Sequence, residues 1–89
     1  MISHTNERFR KAFQKLPSQI QERARTAYKI FQRDPTHPSL QFKHVHATLP
    51  IFSARVGLGY RAVGVREGDV MVWFWIGTHG EYERLLSRL

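Results

Sequence analysis

The apolar positions of the first third recur with helical spacing. Phe9, Phe13 and Leu16 stand at i, i+4 and i+7 with Ala12 beside them, which places all four on one helix face. Thr5 or Asn6 is positioned to cap the start, and Glu7 suits the positive end of the helix dipole. Pro17 stops this helix. Ser18-Gln19-Ile20-Gln21 then reads as a capping box opening a second one, because both polar side chains can satisfy orphan backbone donors. Its stripe is Ile20, Ala24, Ala27 and Phe31, widened by Tyr28 and Ile30, and Asp34-Pro35 ends it. A helical hairpin is predicted.

From Pro38 the period shortens to that of strands. Leu40 and Phe42 alternate with Gln41 and Lys43 and run on into His44-Val45-His46. Two further runs, Ile51 to Val56 and Tyr60 to Val65, flank Gly57-Leu58-Gly59. Glu67-Gly68-Asp69 is a turn, since glycine takes positive φ without a side-chain clash. Val70 to Ile76 is apolar on both faces, as a covered central strand must be. Glu81 to Leu89 reads as a last helix with Tyr82, Leu85, Leu86 and Leu89 inward.

Short connections force the last three strands into an antiparallel meander. The expected fold is α+β: two N-terminal helices packed on a three- to four-stranded, mainly antiparallel sheet, with a short C-terminal helix. The sheet face away from the hairpin is where function is expected.

Length adds a bound, because 89 residues leave no room for a second core, so one domain over residues 1–89 is expected. The longest apolar run is far too short to span a bilayer, and the first residues lack the apolar stretch of a signal peptide. The expectation is a soluble cytoplasmic protein with no membrane partner. Having no cysteine, the chain excludes disulfide scaffolds, thiolate zinc sites and cysteine nucleophiles. Fourteen Lys and Arg against seven Asp and Glu give a net charge of +7, which points to phosphate-bearing or acidic partners.

Much of that charge crowds the hairpin, at Arg8, Arg10, Lys11, Lys15, Arg23, Arg25, Lys29 and Arg33. It serves either as a solvated helix face or as an electrostatic footprint for nucleic acid. A second cluster, Lys43, Arg55 and Arg61, falls on three successive predicted strands. Burying arginines without partners is costly, so Arg55 and Arg61 are expected to open toward a groove, where their forked donors suit phosphate oxygens. The alternative is an ion pair with Glu67, Asp69 or Glu81.

Five histidines raise the question of a metal. His44 and His46 stand two apart and His79 would have to complete a set, but there is no helical HxxxH spacing, so no metal site and no cofactor are expected. His79 is more informative. It follows the last strand directly, with Gly77 and Gly80 on either side, where a rigid sheet positions a loop and an imidazole can act as acid or base.

Several segments together resemble the RelE/ParE superfamily of toxins from type II toxin–antitoxin modules. They are the helical hairpin, Asp34-Pro35-Thr36-His37-Pro38-Ser39-Leu40, Phe52-Ser53-Ala54-Arg55-Val56, Gly59-Tyr60-Arg61-Ala62-Val63 and Trp75-Ile76-Gly77-Thr78-His79-Gly80-Glu81-Tyr82. The resemblance implies a compact antiparallel sheet with two N-terminal helices on it. It also implies one of two activities. RelE-, YoeB-, HigB- and YafQ-like members are metal-independent endoribonucleases that cut mRNA on the ribosome; ParE-like members inhibit DNA gyrase without a nuclease site.

For a nuclease, the resemblance makes His79 the leaving-group acid, Arg61 the contact to the scissile phosphate and Tyr82 the residue that stacks on or orients the substrate. Lys43 and Arg55 would add phosphate contacts, and the general base is left between His44 and His46. No carboxylate takes the place of the glutamate base of YoeB-like members. The expected partners are a cognate antitoxin together with ribosome and mRNA, or alternatively gyrase. A non-catalytic nucleic-acid or protein-binding domain is the remaining alternative.

Overall fold

Both faces of the apolar run Val70–Ile76 are covered in the computed structural model, which describes residues 1–89. The chain runs β1 (Ile2–Thr5), α1 (Glu7–Gln14), α2 (Ser18–Arg33), a 3₁₀ turn (Pro38–Leu40), β2 (Lys43–His44), β3 (Ile51–Arg55), β4 (Tyr60–Glu67), β5 (Val70–Thr78) and α3 (His79–Arg88). The strands form one five-stranded sheet in the order β1-β5-β4-β3-β2. The meander β2 to β5 is antiparallel, as its short connections require, whereas β1 lies parallel to β5.

Strand β1 is the element that local pattern does not predict. Only Ile2 is apolar in it, and the strand exists because its backbone pairs with β5 from Ile2↔Val70 to Thr5↔Trp73. Ser3 then ties three elements together. Its Oγ lies 2.9 Å from the Tyr28 hydroxyl of α2 and accepts from Trp73 Nε1 of β5 at 3.0 Å. Asn6 caps α1 by accepting from the Phe9 N–H at 2.9 Å.

The capping box expected at Ser18 does not form. Pro17, with φ −56° and ψ 148°, takes the cap position, so Ser18 is already helical and no side chain caps α2. Gln21 instead donates from Nε2 to the Phe13 carbonyl at 3.1 Å, fastening the hairpin. The strand expected from Leu40 to His46 is also shorter than read. Leu40 is 1% exposed within the 3₁₀ turn, and Gln41 at φ 45° breaks the alternation, which leaves only Lys43–His44 paired to β3.

One core layer lies between the hairpin and the sheet. Phe31 anchors it, with edge-on contacts to Phe42 at 5.0 Å and Trp73 at 5.3 Å. Burying such a ring contributes roughly 1.5–3 kcal/mol. A smaller layer lies on the other face, where Tyr82 of α3 covers Ile51 and Val63 with Leu85 and Leu86 packed around them. The face on which function is expected is therefore partly covered by α3. Between Val63 and Gly64 the β4–β5 register shifts, and a Cβ at Gly64 would stand 2.5 Å from Met71 Cε and 2.6 Å from the Val72 carbonyl oxygen. Only glycine fits there. No helix is long and apolar enough to cross a membrane.

Candidate functional site

Alternation along the strands brings two arginines together at the end of the sheet where α3 begins. Ser53 and Val63 both face α3: Tyr82 donates its hydroxyl to Ser53 Oγ at 3.3 Å, and Val63 belongs to the same apolar layer. Two residues along from each, on the same face, are Arg55 and Arg61, which stand directly opposite one another. Lys43, paired with Ser53, shares this face from the exposed sheet edge. Both arginines are half-buried, and Arg55 also borders the clefts between α2 and the sheet.

Neither arginine has a carboxylate partner. The alternative ion pairs with Glu67, Asp69 or Glu81 are absent: Asp69 sits 3.9 Å from the N-terminal amine and Glu81 is committed to Thr78. Arg61 Nη1 donates only to the Tyr60 carbonyl, at 2.8 Å. Like charges facing across a strand pair repel, and a bound anion between them would turn that repulsion into a pair of charge-assisted hydrogen bonds.

Beside them stands His79. Arg61 pairs with Gly77, and the His79 N–H donates to the Gly59 carbonyl at 2.8 Å, so the β4 and β5 ends fix where α3 starts. Thr78 caps α3 in a reciprocal box with Glu81. The Thr78 N–H and hydroxyl both donate to Glu81 Oε1 at 2.9 Å, and these bonds hold the Glu81 carboxyl below the usual glutamate range. The helix therefore opens at His79 rather than Glu81, with the imidazole projecting from its first residue into solvent. His79 Nδ1 lies 3.6 Å from Glu83 Oε1, which leaves Nε2 free to meet a substrate. Glu83 was not among the residues singled out from sequence. Its signal was the i, i+4 spacing from a histidine at a helix start.

Tyr82 lies beside His79, with ring centres 5.7 Å apart, but it is 7% exposed and its ring is packed on Ile51 and Val63, which leaves little face for a base. The histidines of β2 and the segment after it are held by other partners. His44 stacks on Phe52 at 5.1 Å with Nε2 2.7 Å from the Leu49 carbonyl. His46 Nδ1 accepts from the N–H groups of Thr48 and Leu49 at 3.1 and 2.9 Å, so its Nε2–H donates to the Leu89 carbonyl at 2.9 Å. That bond lies at the far end of α3, and ten residues at about 1.5 Å each separate it from His79 by roughly 15 Å. His46 is therefore not placed to act on the same phosphate as His79. No group of three or more His, Asp or Glu side chains converges anywhere in the chain.

This architecture is that of the RelE-type toxins. The RelB–RelE antitoxin–toxin complex from Methanococcus jannaschii matches with a TM-score of 0.73 at 17% identity, covering 91% of this chain and 95% of that one. YafQ from E. coli matches with a TM-score of 0.71 at 8% identity over 90% and 94% of the two chains. The archaeal RelE–RelB complex from Pyrococcus horikoshii OT3 gives 0.69 at 19% identity over 89% and 94%. Compared with curated protein sequences, the chain has no significant match. The family model for the ParE-like toxin domain matches residues 18–84, and the chain belongs to that family, within the RelE/ParE superfamily of toxins.

Proposed function

We propose that this toxin is a ribosome-dependent, metal-independent mRNA endoribonuclease. The observation that carries the reading is the unpaired Arg55–Arg61 couple beside an exposed histidine at the strand end. In the proposed reaction the RNA 2′-hydroxyl attacks the adjacent phosphorus, losing its proton to solvent water, and the bond to the 5′-oxygen breaks. A 2′,3′-cyclic phosphate is left on one fragment. Arg61 and Arg55 hold the phosphate oxygens as negative charge grows on them, and protonated His79 gives its proton to the leaving 5′-oxygen. Glu83 Oε1 stands 3.6 Å from Nδ1, on the side of the ring away from Nε2. Lys43 supplies a further cation on the same face.

A cognate antitoxin is the proposed partner, with an acidic segment that covers the basic surface; the similar RelB–RelE complexes support it. Protein, ribosome and mRNA would meet in the cytoplasm. The second reading, gyrase inhibition without nuclease chemistry, draws on the ParE-like family model and on the structural roles of His44, His46 and Tyr82. Assaying the purified toxin side by side on translating ribosomes and on gyrase supercoiling separates the two. Codon-positioned cuts with unaffected supercoiling support the nuclease, and the opposite pattern rejects it.

A further inference from the structure

A second basic surface lies around the corner from His79. β1 pairs with β5 only as far as Trp73, and beyond that point α1 and the open flank of β5 enclose a groove of about 690 Å³. Arg8, Lys11 and Lys15 stand along its α1 wall, three and four residues apart and hence in one row. Opposite them are Tyr60, Trp75 and Thr78, the last adjoining His79. Trp75 is half-exposed, and its ring folds over Gly77, where a Cβ would stand 2.6 Å from Cζ2. Glycine at 77 is what admits the indole to this position.

The two carboxylates bordering the groove are already engaged. Glu7 lies 3.4 Å from Lys11, and Glu81 accepts both donors of Thr78. Arg8 and Lys15 have no carboxylate partner, and the Arg8 guanidinium lies 5.5 Å from the Phe74 ring centre. A row of cations facing half-exposed aromatic rings is the chemistry that single-stranded nucleic acid uses: cations follow the phosphates, and π-faces accept bases of any sequence. An acidic protein segment would use the cations and leave Trp75 without a role.

We propose that this groove holds the single-stranded RNA next to the scissile step, so that the toxin grips its substrate along the β5 flank as well as at His79. The proposal rests on the ribonuclease reading. It can be tested apart from cleavage with a short 2′-O-methyl oligouridine, which lacks the attacking hydroxyl. Of the two tryptophans, Trp73 is 3% exposed and bonded to Ser3, so Trp75 reports on the groove.

Saturable quenching is expected, and Trp75→Phe should abolish it. In the Lys11→Gln, Lys15→Gln double variant, both positions being exposed, the slope of log affinity against log salt should become shallower by about 1.4, at about 0.7 per single-strand phosphate contact. No saturable quenching, or an unchanged salt slope in the double variant, overturns the proposal. So does a polyglutamate peptide that quenches Trp75 as strongly, because the groove would then be a protein-docking surface. Cleavage on ribosomes without binding here removes the groove and keeps the His79 reading. Binding here without cleavage keeps a single-strand groove and removes the nuclease.

Discussion

Arg55 and Arg61 face each other across β3 and β4 with no carboxylate paired to either. A fold selected only for stability has no reason to keep such a couple, since each arginine raises the cost of the other. Arg61→Gln keeps most of the stem and removes one charge. It should leave the protein as stable as wild type or more stable, by roughly 0.2–1 kcal/mol, while lowering cleavage by about 10²–10³-fold. Urea unfolding and a cleavage rate on the same preparation would check this. Lost stability together with unchanged cleavage would make Arg61 a structural residue.

Tyr82 gives the converse case. Its hydroxyl bonds Ser53 and its ring closes the layer beneath α3, so Tyr82→Phe should cost about 1 kcal/mol and leave the cleavage rate where it was. Tyr82→Ala should cost about 3–5 kcal/mol. A rate defect in the Phe variant at full folding would return Tyr82 to the site.

Gly64 sits where the β4–β5 register shifts, against a backbone oxygen that cannot move aside cheaply. Gly64→Ala should therefore destabilise the domain by about 1–3 kcal/mol or more, as overpacked cores do. Chemical denaturation measures it. A neutral outcome would mean that the sheet accommodates a side chain at this point.

The acid dependence of stability should carry a contribution from Glu81. Its carboxyl is held below the ordinary value near 4.5 by bonds from Thr78 that exist only in the folded chain. A group depressed on folding stabilises above its unfolded value, and that stabilisation drains away as pH falls through the folded value. Wild type should exceed Glu81→Gln in Tm at neutral pH, with the gap closing on acidification below about 4.5. Equal melting curves at all pH values would show that the capping box adds nothing. The side chain is exposed, so the gap should be small.

What could be read in advance was what local chemistry decides. The apolar run Val70–Ile76 announced a doubly covered strand, and the stripe from Ile20 to Phe31 announced α2. Strand β1 was hidden because its cause lies in β5, about seventy positions away. Leu40 kept strand parity but not strand geometry, since Gln41 takes a left-handed turn immediately after it. The placement of Arg55, Arg61 and His79 at one end of the sheet was legible from alternation and from strand ends. The bonds of His44 and His46 were not, because their partners are backbone carbonyls, one of them 43 positions away at Leu89.

The most direct test is cleavage mapping by primer extension on mRNA bound to purified translating ribosomes, comparing wild type with His79→Ala. Wild type should cut within the A-site codon, and the variant should be slower by about 10²–10⁴-fold, the usual worth of a positioned acid. An undiminished cut by folded His79→Ala protein would contradict the assignment of the acid. Absence of any cut by wild type would contradict the nuclease itself.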